Sequence, residues 1–257
     1  MKAAELFDLT GEVALVTGAS SGLGWNFSRV LAAHGAKLVL AARRVDKLEA
    51  LKTEIEADGG SAICVALDVA DKTQIGPAFD AAEAEFGTVT ILVNNAGIAE
   101  ENWALTTPED SWRRVMDVNL DGVWFTAQAA AQRMVAADKH GSIINIASVL
   151  GFRVAPTLSS YAVSKAAVVQ MTQALSIELA RNNIRVNAIA PGYVLTEINR
   201  EFFESNADNE IIKTIAQRRV ADPSELDGTL LLLASNKASS FMTGSTLLID
   251  GGQTFGI

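Results

Sequence analysis

Short apolar runs recur along the chain at residues 13–17, 37–42, 62–67, 91–94, 142–147, 184–189 and 246–250. Most are near-continuous stretches of aliphatic residues rather than alternations of polar and apolar positions. An alternating run makes a strand with one wet face, whereas a continuous run makes a strand covered on both faces, as in a parallel sheet. Between the runs lie segments of helical composition at 46–57, 73–86, 108–137, 161–181 and 224–234, and a further helix is expected between a glycine turn after residue 17 and His34. Thr107-Pro108-Glu109-Asp110 reads as a helix start, with a hydroxyl at the cap, proline at the first helical position and acids in the first turn. Strand–helix alternation along the whole chain predicts an α/β fold: a doubly wound, Rossmann-like parallel sheet of seven strands with helices on both faces. One segment breaks the rhythm. Residues 192–222 hold Phe202, Phe203, Ile211 and Ile212 among many polar positions. Placed just beyond a strand's carboxyl end, this segment is expected to cover a substrate site within a single domain, 1–257.

Composition narrows the classes. The 257 residues are 49% hydrophobic, enough for one large core. A net charge of −9 argues against a nucleic-acid binder, which needs a basic face, and against attachment to anionic membranes. No stretch reaches the ~18 continuous apolar residues of a membrane span, and the acidic first ten residues do not form a secretory signal. Cys64, the single cysteine, sits in an apolar run and is expected to be a core thiol in a reducing, cytoplasmic setting. His34 and His140 lack ligand-spaced partners, so no metal is expected.

The first strand runs straight into Gly18-Ala19-Ser20-Ser21-Gly22-Leu23-Gly24 and then a helix. Glycines at 18, 22 and 24 permit positive φ and let a pyrophosphate approach the backbone, while the helix start offers unpaired N–H groups to the anion. The second strand ends in Ala42-Arg43-Arg44 with no acid until Asp46. An acid there would accept from the adenosine ribose, whereas a guanidinium at Arg43 can grip a 2′-phosphate. NADP(H) is therefore favoured, with NAD(H) as the alternative if both arginines are only solvated. Asp68 and Val69, after the third strand, are placed to meet the adenine edge; otherwise Asp68 caps the next turn.

Tyr161 and Lys165 stand at i and i+4 on one helix face. A nearby ammonium favours the phenolate and lowers a tyrosine pKa that is ordinarily ~10, so the phenol can exchange a proton with an alcohol or ketone oxygen. Ser148 lies at the end of the fifth strand, on the sheet edge where ligands bind, and its hydroxyl can bond a reacting oxygen. Asn119 falls in the middle of a helical segment, where an amide is locally unfavourable and needs partners; a kink-stabilising core amide is the other reading. The fourth strand ends in Asn94-Asn95-Ala96-Gly97.

In these motifs the chain resembles the short-chain dehydrogenase/reductase family, over essentially its whole length. Thr17–Gly24 matches T-G-x-x-x-G-x-G, Asn94–Gly97 matches N-N-A-G, Tyr161–Lys165 matches Y-x-x-x-K, and Ser148 and Pro191-Gly192 stand at the family's spacing. The resemblance implies direct hydride transfer between nicotinamide and a carbon bearing an alcohol or carbonyl. It implies Tyr161 as general acid/base, Ser148 orienting the substrate oxygen and Lys165 binding the nicotinamide ribose while depressing the tyrosine pKa. Asn119 would hold a water linking Lys165 to solvent. Asn95, Ala96 and Gly97 would line the cofactor, and Val194 and Thr196 would meet its carboxamide. It also implies a homotetramer built on the long helices. Candidate substrate contacts are Ile98, Leu150, Phe152, Arg153, Tyr193, Leu195, Phe202 and Phe203, a mostly apolar set that suits a lipophilic ketone or a 3-oxoacyl group. Arg153 could hold an acidic group or be merely solvated. The alternatives are an NAD-dependent sugar or polyol dehydrogenase, a lyase- or epimerase-like use of the same fold, and a nucleotide-sensing regulator without turnover.

Overall fold

The computed structural model describes residues 2–196, 203 and 210–255. The apolar runs become seven strands: β1 Val13–Thr17, β2 Lys37–Ala42, β3 Ser61–Ala66, β4 Ile91–Asn94, β5 Gly141–Ile146, β6 Ile184–Pro191 and β7 Thr246–Ile249. All pairings are parallel, in the order β3-β2-β1-β4-β5-β6-β7. β1, β4, β5 and β6 are buried at every position, the property that their continuous hydrophobicity demands. The expected doubly wound sheet is therefore the observed one. Its order reverses between β1 and β4, which opens a crevice at the strands' carboxyl ends.

Ten helices are described: α1 Ala3–Leu6, α2 Gly22–Ala33, α3 Val45–Ala57, α4 Lys72–Phe86, α5 Glu109–Met116, α6 Gly122–Ala136, α7 Ser159–Leu179, α8 Glu210–Thr214, α9 Asp227–Ala234 and α10 Asn236–Ser239. Each sheet face has its own core. On one, Phe79 of α4, Met134 of α6 and Val168 of α7 pack over Leu15, Leu92 and Ile143. On the other, Phe27 and Leu31 of α2, Leu48 of α3 and Leu230 of α9 pack over Val16, Leu40 and Ile144. No helix among the described residues is long and apolar enough to cross a membrane.

Several local expectations differ from the outcome. The segment 108–137 is not one helix: α5 and α6 are joined by a π-helical turn, Asp117–Asp121, whose extra residue turns Asn119 inward. Thr107 does not cap α5; its hydroxyl donates back to the Trp103 carbonyl at 3.0 Å, and extended Pro108 is the cap. The tertiary loop, absent from a local pattern, outcompetes the hydroxyl's cap bond. α1, α8 and α10 are four or five residues long, too short to leave a periodic signal. Cys64 is only half-buried, beside Glu49 and Lys52; burial pushes its thiol up to about 11, which keeps it protonated and unreactive.

Candidate active site

A cavity of about 670 Å³ lies along the crevice, a size that suits a cofactor-bound small-molecule site. Its two ends are assembled differently. At one end β1 runs into the glycine turn, where Gly18 and Gly22 adopt φ of +67° and +56°, in the left-handed region that disfavours a Cβ. A Cβ on Gly18 would lie 2.9 Å from the Ala96 Cα. Asn95 braces this turn, donating from Nδ2 to the Thr17 carbonyl at 3.0 Å, and the Thr17 hydroxyl accepts from the Asn95 and Ala96 N–H groups. The Ser21 side chain does not cap α2, so the helix's first N–H groups are presented to the cavity.

Every expected cofactor contact lines the cavity except Gly24. Gly24 serves the packing instead: a Cβ there would sit 2.3 Å from the Gly18 carbonyl oxygen and 2.5 Å from Asn95 Nδ2. Arg44, which the sequence reading left behind Arg43, also lines this end. Its guanidinium donates to Ser20 Oγ at 3.1 Å and Ser21 Oγ at 2.8 Å. Arg43 reaches Asp68 at 4.0 Å, and Asp68 Oδ1 accepts from the Ala70 N–H, so the capping role of Asp68 is real alongside its place in the cavity wall. Two adjacent arginines were the available signal for Arg44; which would turn toward the serines depended on the strand's end geometry.

At the other end, Ser148, Tyr161 and Lys165 share one wall. Ser148 follows β5, and its Oγ accepts from the Leu150 N–H at 3.1 Å, fixing the turn Val149–Gly151. Tyr161 and Lys165 come from the first turns of α7. The Tyr161 hydroxyl and the Ser148 side chain stand side by side on this wall, near enough for Ser148 to favour the phenolate. Burial raises the phenol's pKa above its ordinary value, the Ser148 hydroxyl lowers it in part, and charge repulsion from the Tyr193 phenol group raises it. The depression expected from Lys165 is not among the causes of this shift, whose direction is set by desolvation. Lys165 Nζ sits 5.6 Å from the Tyr161 ring centroid and donates to the Ile146 carbonyl at 2.7 Å. Burial brings its own pKa down to about 8.

The Asn119 side chain makes three hydrogen bonds to protein groups. Its Oδ1 accepts from the Ile98 N–H at 2.8 Å, and its Nδ2 donates to the Ile98 carbonyl at 2.9 Å and to Ser164 Oγ at 3.1 Å. Asn119 therefore ties the Ile98 wall to α7, and an added Cβ on Gly97 would lie 3.4 Å from its Oδ1 and 3.6 Å from Lys165 Nζ. The amide needed partners, as its mid-helix position required, and found them in side-chain and backbone groups.

The substrate assignments fare unevenly. Ile98, Leu150 and Tyr193 line the cavity. Phe203 does not; it is buried edge-on against Tyr193, with ring centroids 5.6 Å apart, so it backs the wall instead. Leu195 faces elsewhere, its N–H bonded to the Ala221 carbonyl at 2.8 Å. Phe152 is 45% exposed and outside the cavity. Arg153 also lies outside the lining, and its guanidinium donates to the Gln253 carbonyl. Phe202 lies outside the described residues. Among the wall residues that the sequence reading missed, Val118, Val149 and Leu158 come from three separate loops and turns. Among the described residues no group of three or more His, Cys, Asp or Glu is placed to hold a metal ion.

Comparison with known proteins agrees with this geometry. The family pattern described as enoyl-(acyl carrier protein) reductase matches residues 18–254. A short-chain type dehydrogenase/reductase from Mycobacterium marinum is 41% identical, with a TM-score of 0.93 over 98% of this chain and 99% of that one. A gluconate 5-dehydrogenase from Burkholderia cenocepacia, solved in complex with NADP and tartrate, is 39% identical, with a TM-score of 0.93 over 100% of both chains. A 3-oxoacyl-[acyl-carrier-protein] reductase from Synechocystis is 37% identical over 246 residues, 95% of this chain and 98% of the relative.

Proposed function

The chain belongs to the short-chain dehydrogenase/reductase family, and on that premise we propose that it is an NADP(H)-dependent oxidoreductase interconverting a ketone and a secondary alcohol. The observation that carries this reading is the single cavity with a phosphate-compatible glycine turn and Arg44 at one end and the Ser148–Tyr161–Lys165 group at the other. The turn fits a dinucleotide, because its backbone has no room for a Cβ at Gly18 and leaves helix N–H groups open. Gly18, Ser20, Ser21, Gly22 and Leu23 would hold the pyrophosphate. Arg43 and Arg44 would hold the 2′-phosphate. Asp68 and Val69 would meet the adenine, and Asn95–Gly97 with Pro191, Gly192, Val194 and Thr196 the nicotinamide half. When bound, the dinucleotide supplies or accepts the hydride.

The protein's own groups handle the proton. Ser148 donates a hydrogen bond to the substrate oxygen and holds it within reach of Tyr161. Burial keeps the Tyr161 phenol protonated, the state that a general acid needs to protonate the oxygen as a carbonyl is reduced. Lys165 places positive charge beside the ring and stabilises the phenolate that remains. Asn119 acts through Ile98 and Ser164 to hold these elements in register.

The lining favours a lipophilic or 3-oxoacyl-like carbonyl compound, since Ile98, Leu150, Leu158 and Val149 surround the reacting end and no cavity-lining cation faces it apart from Lys165 among the described residues. The reading of segment 192–222 as a cover within one domain is supported by Gly192, Tyr193, Val194 and Thr196, which line the cavity; residues 197–202 and 204–209 lie outside the described residues. Ile177 at 79% exposure, Val163 on the same helix and Val135 on α6 leave apolar area uncovered, which supports assembly as a homotetramer through α6 and α7. The unreactive thiol of Cys64 is compatible with work in the cytoplasm.

The test is a spectrophotometric screen of neutral ketones and alcohols with each nicotinamide, repeated with Tyr161→Phe. Turnover with NADPH that falls roughly 10²–10⁴-fold in the variant is expected. Undiminished turnover in Tyr161→Phe would reject the proton-transfer assignment, and NADH used equally well would reject the cofactor assignment.

A further inference from the structure

Beyond β7 the chain folds into a tight turn. The Asp250 carboxylate accepts from the N–H groups of Gly252 at 2.9 Å and Thr254 at 2.6 Å, and Gly251 and Gly252 take φ of +59° and +83°. Gln253 at its centre is 7% exposed. Three segments at or behind the cavity wall converge on this turn.

The first is the loop that begins at Ser148. Arg153 closes it, with its N–H on the Val149 carbonyl at 3.0 Å, and its guanidinium donates across a hundred residues of sequence to the Gln253 carbonyl. The second is the end of β6. The Gly192 N–H donates to the Ile249 carbonyl at 3.0 Å, and a Cβ on Gly192 would lie 2.8 Å from Asp250 Cα and 3.2 Å from Gln253 Oε1. The third is the segment from α8 to Ala221. The Gln217 N–H donates to the Gly251 carbonyl at 3.0 Å, and Gln253 Nε2 reaches Thr214 Oγ1 at 3.4 Å. That segment is in turn stitched to the cavity wall, because Ala221 donates to the Tyr193 carbonyl at 2.9 Å and accepts from the Leu195 N–H at 2.8 Å. Tyr193 faces the cavity on one side and, on the other, a second space of about 320 Å³ bounded by Gln217, Asp250 and Gly251.

We propose that Arg153 is a positioning residue: it clamps the C-terminal turn to the Ser148 loop and thereby fixes the Tyr193 wall of the cavity. Arg153 is half-buried, outside the cavity lining, and its partner is a backbone carbonyl rather than a carboxylate. The clamp is a charge-assisted bond from a guanidinium to a backbone carbonyl. Its removal frees the turn, then the 214–221 segment, then Tyr193. The Ser148–Tyr161 pair, held by β5 and α7, stays in place. The consequence is a looser substrate site with intact proton-transfer groups.

The kinetic part of the test rests on the carbonyl-reducing function proposed above; the exchange part does not. Arg153→Met and Arg153→Lys are compared with the unaltered protein in NADPH-dependent reduction of a neutral ketone and of an anionic ketone with the same skeleton. Hydrogen exchange of peptides covering 210–221 is followed in parallel. The expected result for Arg153→Met is a KM raised roughly tenfold for both ketones, the worth of one charge-assisted hydrogen bond. kcat should stay within about twofold, NADPH affinity should be unaltered, and exchange at 210–221 should be faster. Arg153→Lys should recover part of each. A loss confined to the anionic ketone would make Arg153 a substrate ligand and overturn the clamp. Unaltered KM with unaltered exchange would overturn it too. If Arg153→Met does not fold, the lysine variant decides by the same two readings with smaller shifts. If the unaltered protein reduces no carbonyl, the functional reading falls, and faster exchange in the variants still decides the clamp.

Discussion

At the nucleotide end the cavity wall is backbone against backbone: Gly18 lies over Ala96, Gly24 under the Gly18 carbonyl, and the Thr17 hydroxyl accepts from two consecutive N–H groups. At the substrate end the wall is stitched by bonds between distant segments, Arg153 to the Gln253 carbonyl and Gln217 to the Gly251 carbonyl. The first arrangement tolerates no added atom, because a displaced backbone moves a whole strand or helix. The second can change one partner at a time, since each bond joins two loops on the surface of the sheet. A fold that must recognise one cofactor and varied carbonyl compounds needs both, a rigid nucleotide end and an adjustable substrate end.

The sharpest test of this contrast lies where the ends meet, at Lys165. Lys165→Met should lower kcat/KM about 10³-fold, the scale of a lost preorganised charge. It should also stabilise the fold. The native pKa of about 8 lies below the ordinary 10.5 because burial penalises the ammonium. The folded state therefore binds fewer protons than the unfolded state between those values, and stability rises with pH across that window. The penalty is fully present below pH 8 and gone above about 10.5. The 2.5-unit difference, at about 1.4 kcal/mol per unit, corresponds to about 3 kcal/mol of ammonium desolvation that Lys165→Met removes at neutral pH, offset in part by loss of the bond to the Ile146 carbonyl. Urea unfolding of both proteins at pH 7 and pH 10 checks this; an equal difference at the two values would reject it.

Gly24→Ala probes the rigid end. A Cβ 2.3 Å from a backbone oxygen forces α2 away from β1, at a cost of about 2–3 kcal/mol. Thermal unfolding and NADPH binding should deteriorate together. A variant with lost stability and native NADPH affinity would break the claim that this end's packing and its recognition are one feature. Arg44→Ala should have the smallest effect. It should weaken NADPH binding roughly tenfold and leave NADH binding within about twofold, with unchanged melting temperature, because only a charge-assisted contact to the 2′-phosphate is removed. Equal weakening of both cofactors, read by fluorescence titration, would return Arg44 to a simple brace for Ser20 and Ser21.

The sheet, its parallel sense and most helices were legible because their signals are local: continuous apolar runs and helical spacing over ten or more residues. The glycine turn, Ser148, Tyr161 and Lys165 were legible for a related reason, since each stands at a fixed step from a strand end or along one helix. Asn119 was found but its bonds were not, because a π-helical turn inserts one residue that leaves no mark in periodicity. Phe152, Arg153, Leu195 and Phe203, expected on the substrate wall, lie outside the cavity lining; sequence adjacency to wall residues does not reveal that a guanidinium has a carbonyl a hundred positions away within reach, or that a ring backs another ring. The sequence by itself determined the fold and the place of the glycine turn, and it pointed to the proton-transfer groups proposed here, through interactions within one element or between neighbours in chain order. Only the tertiary structure decided which arginine braces the serines, how far the Tyr161 phenol is desolvated and what holds the substrate wall. Those are properties of chain segments brought together from opposite ends of the sequence, and of the water excluded when they meet.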